Sequence, residues 1–317
     1  MKKAQIDVAV LLLFFARPEQ TAKVFEQIKK ARPTKLFLYQ DGPREGREDD
    51  ILGIKACRNI VEDIDWECDV YRLYQEKNVG CDPSEYLSQK WMFSIVDKGI
   101  ILEDDDVPSQ SFFPFCKELL DKYEYDDRIG IICGMNHLDK VNIDADYFFC
   151  QNRGPIWGWA TWKRFIDKWD PTYKFLNNQR DIKNLMLSGD LWESRLKTYL
   201  LHKAKGIEYY EDFVSSTLIF NHMMAIIPSK NLISNIGIAA ESTHSTSNLK
   251  NLPPKFRKLL FKPTFEYTFP LKHPINMVHD EENTRAIAKS MRAGIYEKIY
   301  IFIRKIIQYF GKFLPIN

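Results

Sequence analysis

The chain has 317 residues, 45% of them hydrophobic and 28% charged, enough apolar mass for one large globular domain with an appendage. Its 45 basic and 43 acidic residues leave a formal charge of +2, which excludes a broadly basic nucleic-acid binder and a highly charged disordered chain. Six cysteines without a CxxC pair suit free thiols in a reducing compartment, and the apolar run over residues 8–15 is too short to span a bilayer, so a cytoplasmic location is expected.

Strand signals over residues 8–15, 36–39, 70–74, 99–102 and 129–133 alternate with helical patterns, which predicts a parallel sheet with crossover helices. Pro18 opens a helix whose Val24, Phe25 and Ile28 share a face, and Ile54, Cys57, Ile60, Val61 and Ile64 repeat at the same period. After Pro83, the spacing of Leu87, Trp91 and Ile95 predicts a third apolar stripe. Right-handed crossovers gather the loops after the first four strands on one edge of the sheet. That edge carries Arg17, Asp41-Gly42, Asn78-Val79-Gly80 and an acidic run.

The acidic run is the strongest signal. An apolar strand, 99–102, ends in Glu103, Asp104, Asp105 and Asp106. Carboxylates crowded at one strand end repel one another unless something positive offsets them, and a hard divalent ion bridging to a phosphate does so. In open α/β sheets, ligands bind at the carboxyl ends of strands. The plainer reading of such acids is a solvated turn.

Beyond residue 150 the texture becomes aromatic. Trp157-Gly158-Trp159-Ala160-Thr161-Trp162 reads either as core filling or as a sugar-stacking wall, and Tyr210-Glu211-Asp212 opens an apolar helix. Residues 245–280 read as loop, interrupted by Pro253, Pro254, Pro263, Pro270 and Pro274 and rich in lysine, in the manner of a lid or a membrane-facing strap. The tail carries Ile295, Ile299, Phe302, Ile303, Ile306 and Phe310 in one stripe with cations around it, the pattern of an interfacial helix or of one docked on the domain. The expected division is a domain over 1–245 and, over 246–317, a basic Pro-rich linker with an amphipathic helix.

Taken in order, Phe15-Ala16-Arg17-Pro18, Asp41-Gly42-Pro43-Arg44, Asn78-Val79-Gly80-Cys81, Ile101-Leu102-Glu103-Asp104-Asp105, the tryptophan segment, and Asn235-Ile236-Gly237 with Thr243-His244 resemble the motifs of bacterial GT-A fold glycosyltransferases. That family is similar to the eukaryotic N-acetylglucosaminyltransferase that begins complex N-glycans, and the match spans residues 5–245. The resemblance implies an α/β, Rossmann-like mixed sheet with flanking helices and a C-terminal helical tail. It implies metal-dependent, inverting transfer from a nucleoside diphosphate sugar, a UDP-sugar, to a hydroxyl of a glycan or lipid-linked saccharide in surface polysaccharide synthesis. No nucleic acid is involved, and contact with the inner face of the membrane would come through the tail.

By the same resemblance Asp105 and His244 would hold Mn²⁺ or Mg²⁺, with Glu103 and Asp104 addressing ribose or metal-bound water. Arg17, Asp41, Asn78, Gly80 and Trp159 would complete the donor site, Asp41 by accepting from a base N–H. Asp212 would be the general base, a role worth roughly 10²–10⁴-fold. Asp82-Pro83 and the additional Asp106 depart from the family pattern. Two alternatives stand beside this reading. One is a sugar nucleotidyltransferase, although its usual Gly-rich phosphate loop is missing from Leu13-Phe14-Phe15-Ala16-Arg17-Pro18. The other is a non-catalytic carbohydrate-binding protein that kept the fold.

Overall fold

A computed structural model of the protein describes residues 1–151, 153–187, 191–206, 209–237 and 257–290. His244 and the tail stripe at 295–310 lie outside the described residues.

The strands β1 (Ile6–Phe14), β2 (Pro33–Gln40), β3 (Asp69–Tyr74) and β4 (Lys98–Glu103) form a parallel block in the order β3-β2-β1-β4. They alternate with α1 (Pro18–Ala31), α2 (Glu48–Val61) and α3 (Cys81–Phe93), as the sequence pattern predicts. β1 reads as an unbroken apolar run because both its faces are covered. Val8, Val10, Leu12 and Phe14 pack with Val24, Phe25 and Ile28 of α1, while Ala9, Leu11 and Leu13 pack on the other side with Met92 and Phe93 of α3.

β5 (Asp106–Pro108) leaves the main sheet at once and pairs antiparallel with β10 (Ile233–Asn235), which sets Asn235 opposite Asp106. The main sheet continues beyond β4 as a mixed one. β8 (Trp159–Trp162) lies antiparallel between β4 and β6 (Ile129–Cys133), β9 (Met224–Pro228) runs parallel to β6, and β7 (Tyr147–Gln151) pairs antiparallel with β9. Helices α4 (Phe112–Lys122), α5 (Lys163–Ile166), α6 (Gln179–Leu187), α7 (Leu191–Lys205), α8 (Tyr210–Phe220) and α9 (Glu281–Ser290), with a 3₁₀ turn at Lys174–Asn177, complete the described elements.

Two sequence expectations are corrected here. The stripe Leu87–Trp91–Ile95 is not the inner face of α3: Leu87 and Ile95 are exposed, and Ser84, Glu85, Ser88, Gln89, Met92 and Phe93 are buried. The helix turns a polar row inward beside the strand ends, and polar groups there defeat a pattern read from apolar spacing. The tryptophan segment is largely a core strand. Trp159 and Trp162 are 1% and 2% exposed, with Trp159 edge-on to Phe165, so Trp159 offers no stacking surface to a sugar. Gly158, at φ +59°, supplies the left-handed turn into β8 that a side chain would resist.

Residues 257–290 are mostly irregular yet docked, rather than a lid or strap. Pro263, Pro270 and Pro274 break regular elements, while Leu259, Tyr267 and Leu271 enter the core. The Tyr267 ring lies 5.5 Å from that of Phe115, and its hydroxyl accepts from the Lys230 N–H at 2.6 Å. Among the described residues no helix is long and apolar enough to cross a membrane. If this docking supports the fold, Tyr267→Ala lowers unfolding free energy by about 3 kcal/mol, in the range for removing a buried aromatic ring. Denaturant titration checks this; an unchanged midpoint would mean that the segment is detached in solution.

Candidate active site

The strand order reverses between β1 and β4, because β1 leads through α1 to β2 on one side while β4 lies on the other. In doubly wound sheets the crevice at such a switch point is where ligands bind. Here it holds Arg17, from the loop after β1, and the acids that end β4. The Arg17 guanidinium bridges two of them. Its Nη2 pairs with Asp104, its Nε donates to the same carboxylate at 3.3 Å, and its Nη1 donates to Asp105 at 2.8 Å. Burial alone would lower the arginine's proton affinity, but Asp104 and Asp105 more than offset this and raise it.

The remaining oxygens of Asp105 and Asp106 are also engaged. Asn235 Nδ2 donates to Asp105 at 3.0 Å and to Asp106 at 2.9 Å, and the Gly158 N–H donates to Asp106 at 2.7 Å. The Phe15 N–H donates to Asp104 at 3.3 Å. Gly237 follows closely over the cluster, since a Cβ there would lie 2.4 Å from Asp105 Oδ2. Asp106 is thus a structural joint that ties β8 and β10 to the end of β4. Burial first, and repulsion among neighbouring acids after it, push the carboxyls of Glu85, Glu103 and Asp106 well above their ordinary range. The crevice is therefore less negative than its acid count suggests.

Carboxylate oxygens suit a hard cation, but both oxygens of Asp104, Asp105 and Asp106 already accept hydrogen bonds. No group of three or more His, Cys, Asp or Glu side chains able to hold a metal occurs among the described residues. Asp105 accepts one hydrogen bond on each oxygen and so keeps acceptor positions for the expected Mn²⁺ or Mg²⁺, while His244, the other expected ligand, lies outside the described residues; Arg17 supplies positive charge beside Asp105.

Asp41 also has a different role from the one expected. It accepts from the N–H groups of Gly42 at 2.8 Å, Val79 at 2.9 Å and Gly80 at 3.0 Å, and from Asn78 Nδ2 at 2.8 Å. A carboxylate offers about four acceptor positions, so none is left for a nucleobase N–H. Asp41, Asn78 and Gly80 form a clamp that fixes the β3–α3 loop against the end of β2.

The pair Glu211-Asp212 at the start of α8 divides between two environments. Asp212 is buried, accepting from the Tyr173 hydroxyl at 3.0 Å and lying 2.6 Å from His202 Nδ1, and it does not line the adjoining cleft. Glu211 does. The cleft has a volume of about 220 Å³ and includes His137, Arg153, Trp157, Arg195 and Glu211. The packed surroundings of Glu211 push its carboxyl up to about 7, with Asp82 and Asp212 adding repulsion. Burial holds His137 down at about 4 and therefore neutral at ordinary pH. Asn235 belonged to a recognised motif without an assigned role. Glu85, His137, Arg153 and Arg195 carried no sequence signal, because only the fold brings them to the site.

No family model matches the sequence, and no curated protein matches it. Among solved structures, the chain is similar to an inositol-1-phosphate CTP transferase from T. maritima, at 11% identity and a TM-score of 0.38, over 81% of this chain and 96% of that one. It is also similar to an apo UDP-glucose pyrophosphorylase, at 10% identity and a TM-score of 0.37 over 73% and 93% of the two chains. A UDP-glucose pyrophosphorylase complexed with UDP-glucose matches at 9% identity and a TM-score of 0.30, over 52% and 81%. The likeness is one of fold, a Rossmann-like mixed sheet flanked by helices, and none of these structures is an N-acetylglucosaminyltransferase. The expectation of inverting glycosyl transfer is corrected. The solved structures it is similar to are pyrophosphorylases and a CTP transferase rather than glycosyltransferases.

Glu211 yields a pH prediction. Its folded value of about 7 lies above the ordinary 4.5, so the folded chain binds this proton more tightly than the unfolded chain. Its contribution is present in full below about pH 4.5 and is lost as pH rises through about 7. Glu211→Gln, which removes the titration, is expected to gain Tm relative to wild type between pH 5 and pH 8. Parallel Tm-against-pH curves for the two proteins would contradict the assignment.

Proposed function

We propose that the chain is a sugar nucleotidyltransferase, joining a nucleoside triphosphate to a sugar phosphate with release of pyrophosphate. The observation that carries this reading is the Arg17 guanidinium, fixed by two carboxylates at the β1–β4 crevice. Three of its five N–H groups hold Asp104 and Asp105, and two remain for phosphate oxygens. Donors already locked in place stabilise charge developing on a phosphate without reorganising during the reaction. Arg17 stands directly before α1, whose first-turn N–H groups favour anions, and this substitutes for the missing Gly-rich loop.

In the proposed reaction an oxygen of the sugar phosphate attacks the α-phosphorus of the triphosphate. The bond from that phosphorus to the bridging oxygen breaks, and pyrophosphate leaves with the electron pair. A phosphate nucleophile is already anionic near neutral pH and needs no general base, in keeping with a buried Asp212. Asp104 and Asp105 orient Arg17, and burial holds the neighbouring Glu103 and Asp106 carboxyls well above their ordinary range, which limits the repulsion of an anionic substrate.

Pyrophosphate release, measured for each nucleoside triphosphate paired with a panel of sugar 1-phosphates, with and without added Mg²⁺, tests the proposal. One pairing is expected to release pyrophosphate only when both substrates are present. Arg17→Lys keeps the charge but loses the planar fork, and is expected to lower kcat roughly 10²-fold. Folded protein that releases none with any pairing would contradict the reading.

A further inference from the structure

The cleft beside the crevice differs from it in chemistry. Around the end of β4 the ionisable side chains are mostly acids, whereas the cleft brings in Arg153, from the segment before β8, and Arg195, from α7. The two sites share a wall. Trp157 lines the cleft, and the next residue, Gly158, donates its N–H to Asp106. On the other side Glu211 lines the cleft while the Tyr210 N–H donates to Asp82 at 3.2 Å, beside the clamped β3–α3 loop.

At about 220 Å³ the cleft is below the ~300 Å³ at which pockets for drug-sized ligands begin, so it suits a single sugar ring better than a whole nucleotide. Its apolar side, with Trp157, Val214 and Leu218, matches the C–H face of a sugar ring. His137 Nδ1 is buried without a hydrogen-bond partner among the described residues, a demand that a ligand hydroxyl can meet. Glu211, held near neutrality, accepts or donates a hydrogen bond without strongly repelling an anion.

We infer that this cleft binds an acidic sugar, a single ring carrying a phosphate or a carboxylate, with the anion drawn by Arg153 and Arg195 and the ring lying against Trp157. The inference rests on the nucleotidyltransferase reading only in making this ligand the partner of the nucleotide. The charge requirement comes from the cleft itself.

Calorimetric titration of the full chain, with and without UTP, tests it using hexose 1-phosphates, uronates, methyl glucoside and inorganic phosphate as probes. At least one charged sugar is expected to bind, with methyl glucoside and inorganic phosphate at least tenfold weaker. The stronger of the phosphate and carboxylate series identifies the source of the anion. Arg195→Ala removes an exposed side chain and is expected to weaken the charged sugar at least tenfold while leaving UTP affinity within twofold. Arg153→Ala is expected to weaken the charged sugar likewise. Methyl glucoside binding as tightly as the charged sugars, no binding by any charged sugar, or unaltered affinity in both arginine variants would overturn the inference. Titration with each nucleoside triphosphate reads the crevice separately: charged-sugar binding without binding of any of them would count against the proposed function and leave the cleft assignment standing.

Discussion

Bringing Glu103, Asp104, Asp105 and Asp106 to the end of a buried strand creates a repulsion that the fold must resolve, and most of the surrounding architecture serves that resolution. Arg17 bridges Asp104 and Asp105, Asn235 spans Asp105 and Asp106, and the Gly158 N–H completes Asp106. These partners come from the loop after β1, from β10 and from the turn into β8. Removing one partner of a buried charge typically costs about 3–5 kcal/mol. The acidic cluster therefore dictates where three separate parts of the chain must lie, and in doing so builds the crevice.

A second polar joint repeats the principle. Asp41 gathers four donors from the residues after β2 and β3, so the loop that leads into α3 is fixed before any ligand arrives. On α8, adjacent acids serve different ends. Asp212 ties the helix to Tyr173 and His202, while Glu211 faces the cleft. Much of the charge that looks catalytic in the sequence is thus employed in holding backbone and helices in register. Among the described residues, the outer N–H groups of Arg17 and the residues of the adjoining cleft are candidates to meet a ligand.

The parallel half of the sheet was legible because its signals are local. Pro18 marks the start of α1, and β1 is apolar on both faces because both are covered. The antiparallel insertion of β8 was not legible. Nothing in Trp159 to Trp162 distinguishes a strand between β4 and β6 from an aromatic ligand wall, since that difference is set by partners far along the chain. The inward face of α3 was misread for a related reason: Glu85, Ser88 and Gln89 are buried beside the site, where polar contacts outweigh apolar periodicity. At the candidate site, the sequence pointed to the strand ends that border the crevice, but it could not reveal that Arg17, Asn235 and backbone N–H groups would occupy the carboxylates.

The central claim is that nucleotide phosphates are held at the β1–β4 crevice by Arg17. Hydrogen–deuterium exchange of the full chain with and without saturating nucleoside triphosphate addresses it directly, because peptides spanning residues 15–22 and 103–108 report on the two sides of that crevice. Added protection concentrated in those peptides, and lost in Arg17→Lys, is the result this account predicts. Bound nucleotide that leaves them unaltered and protects the distant β7–β9 edge instead would contradict it.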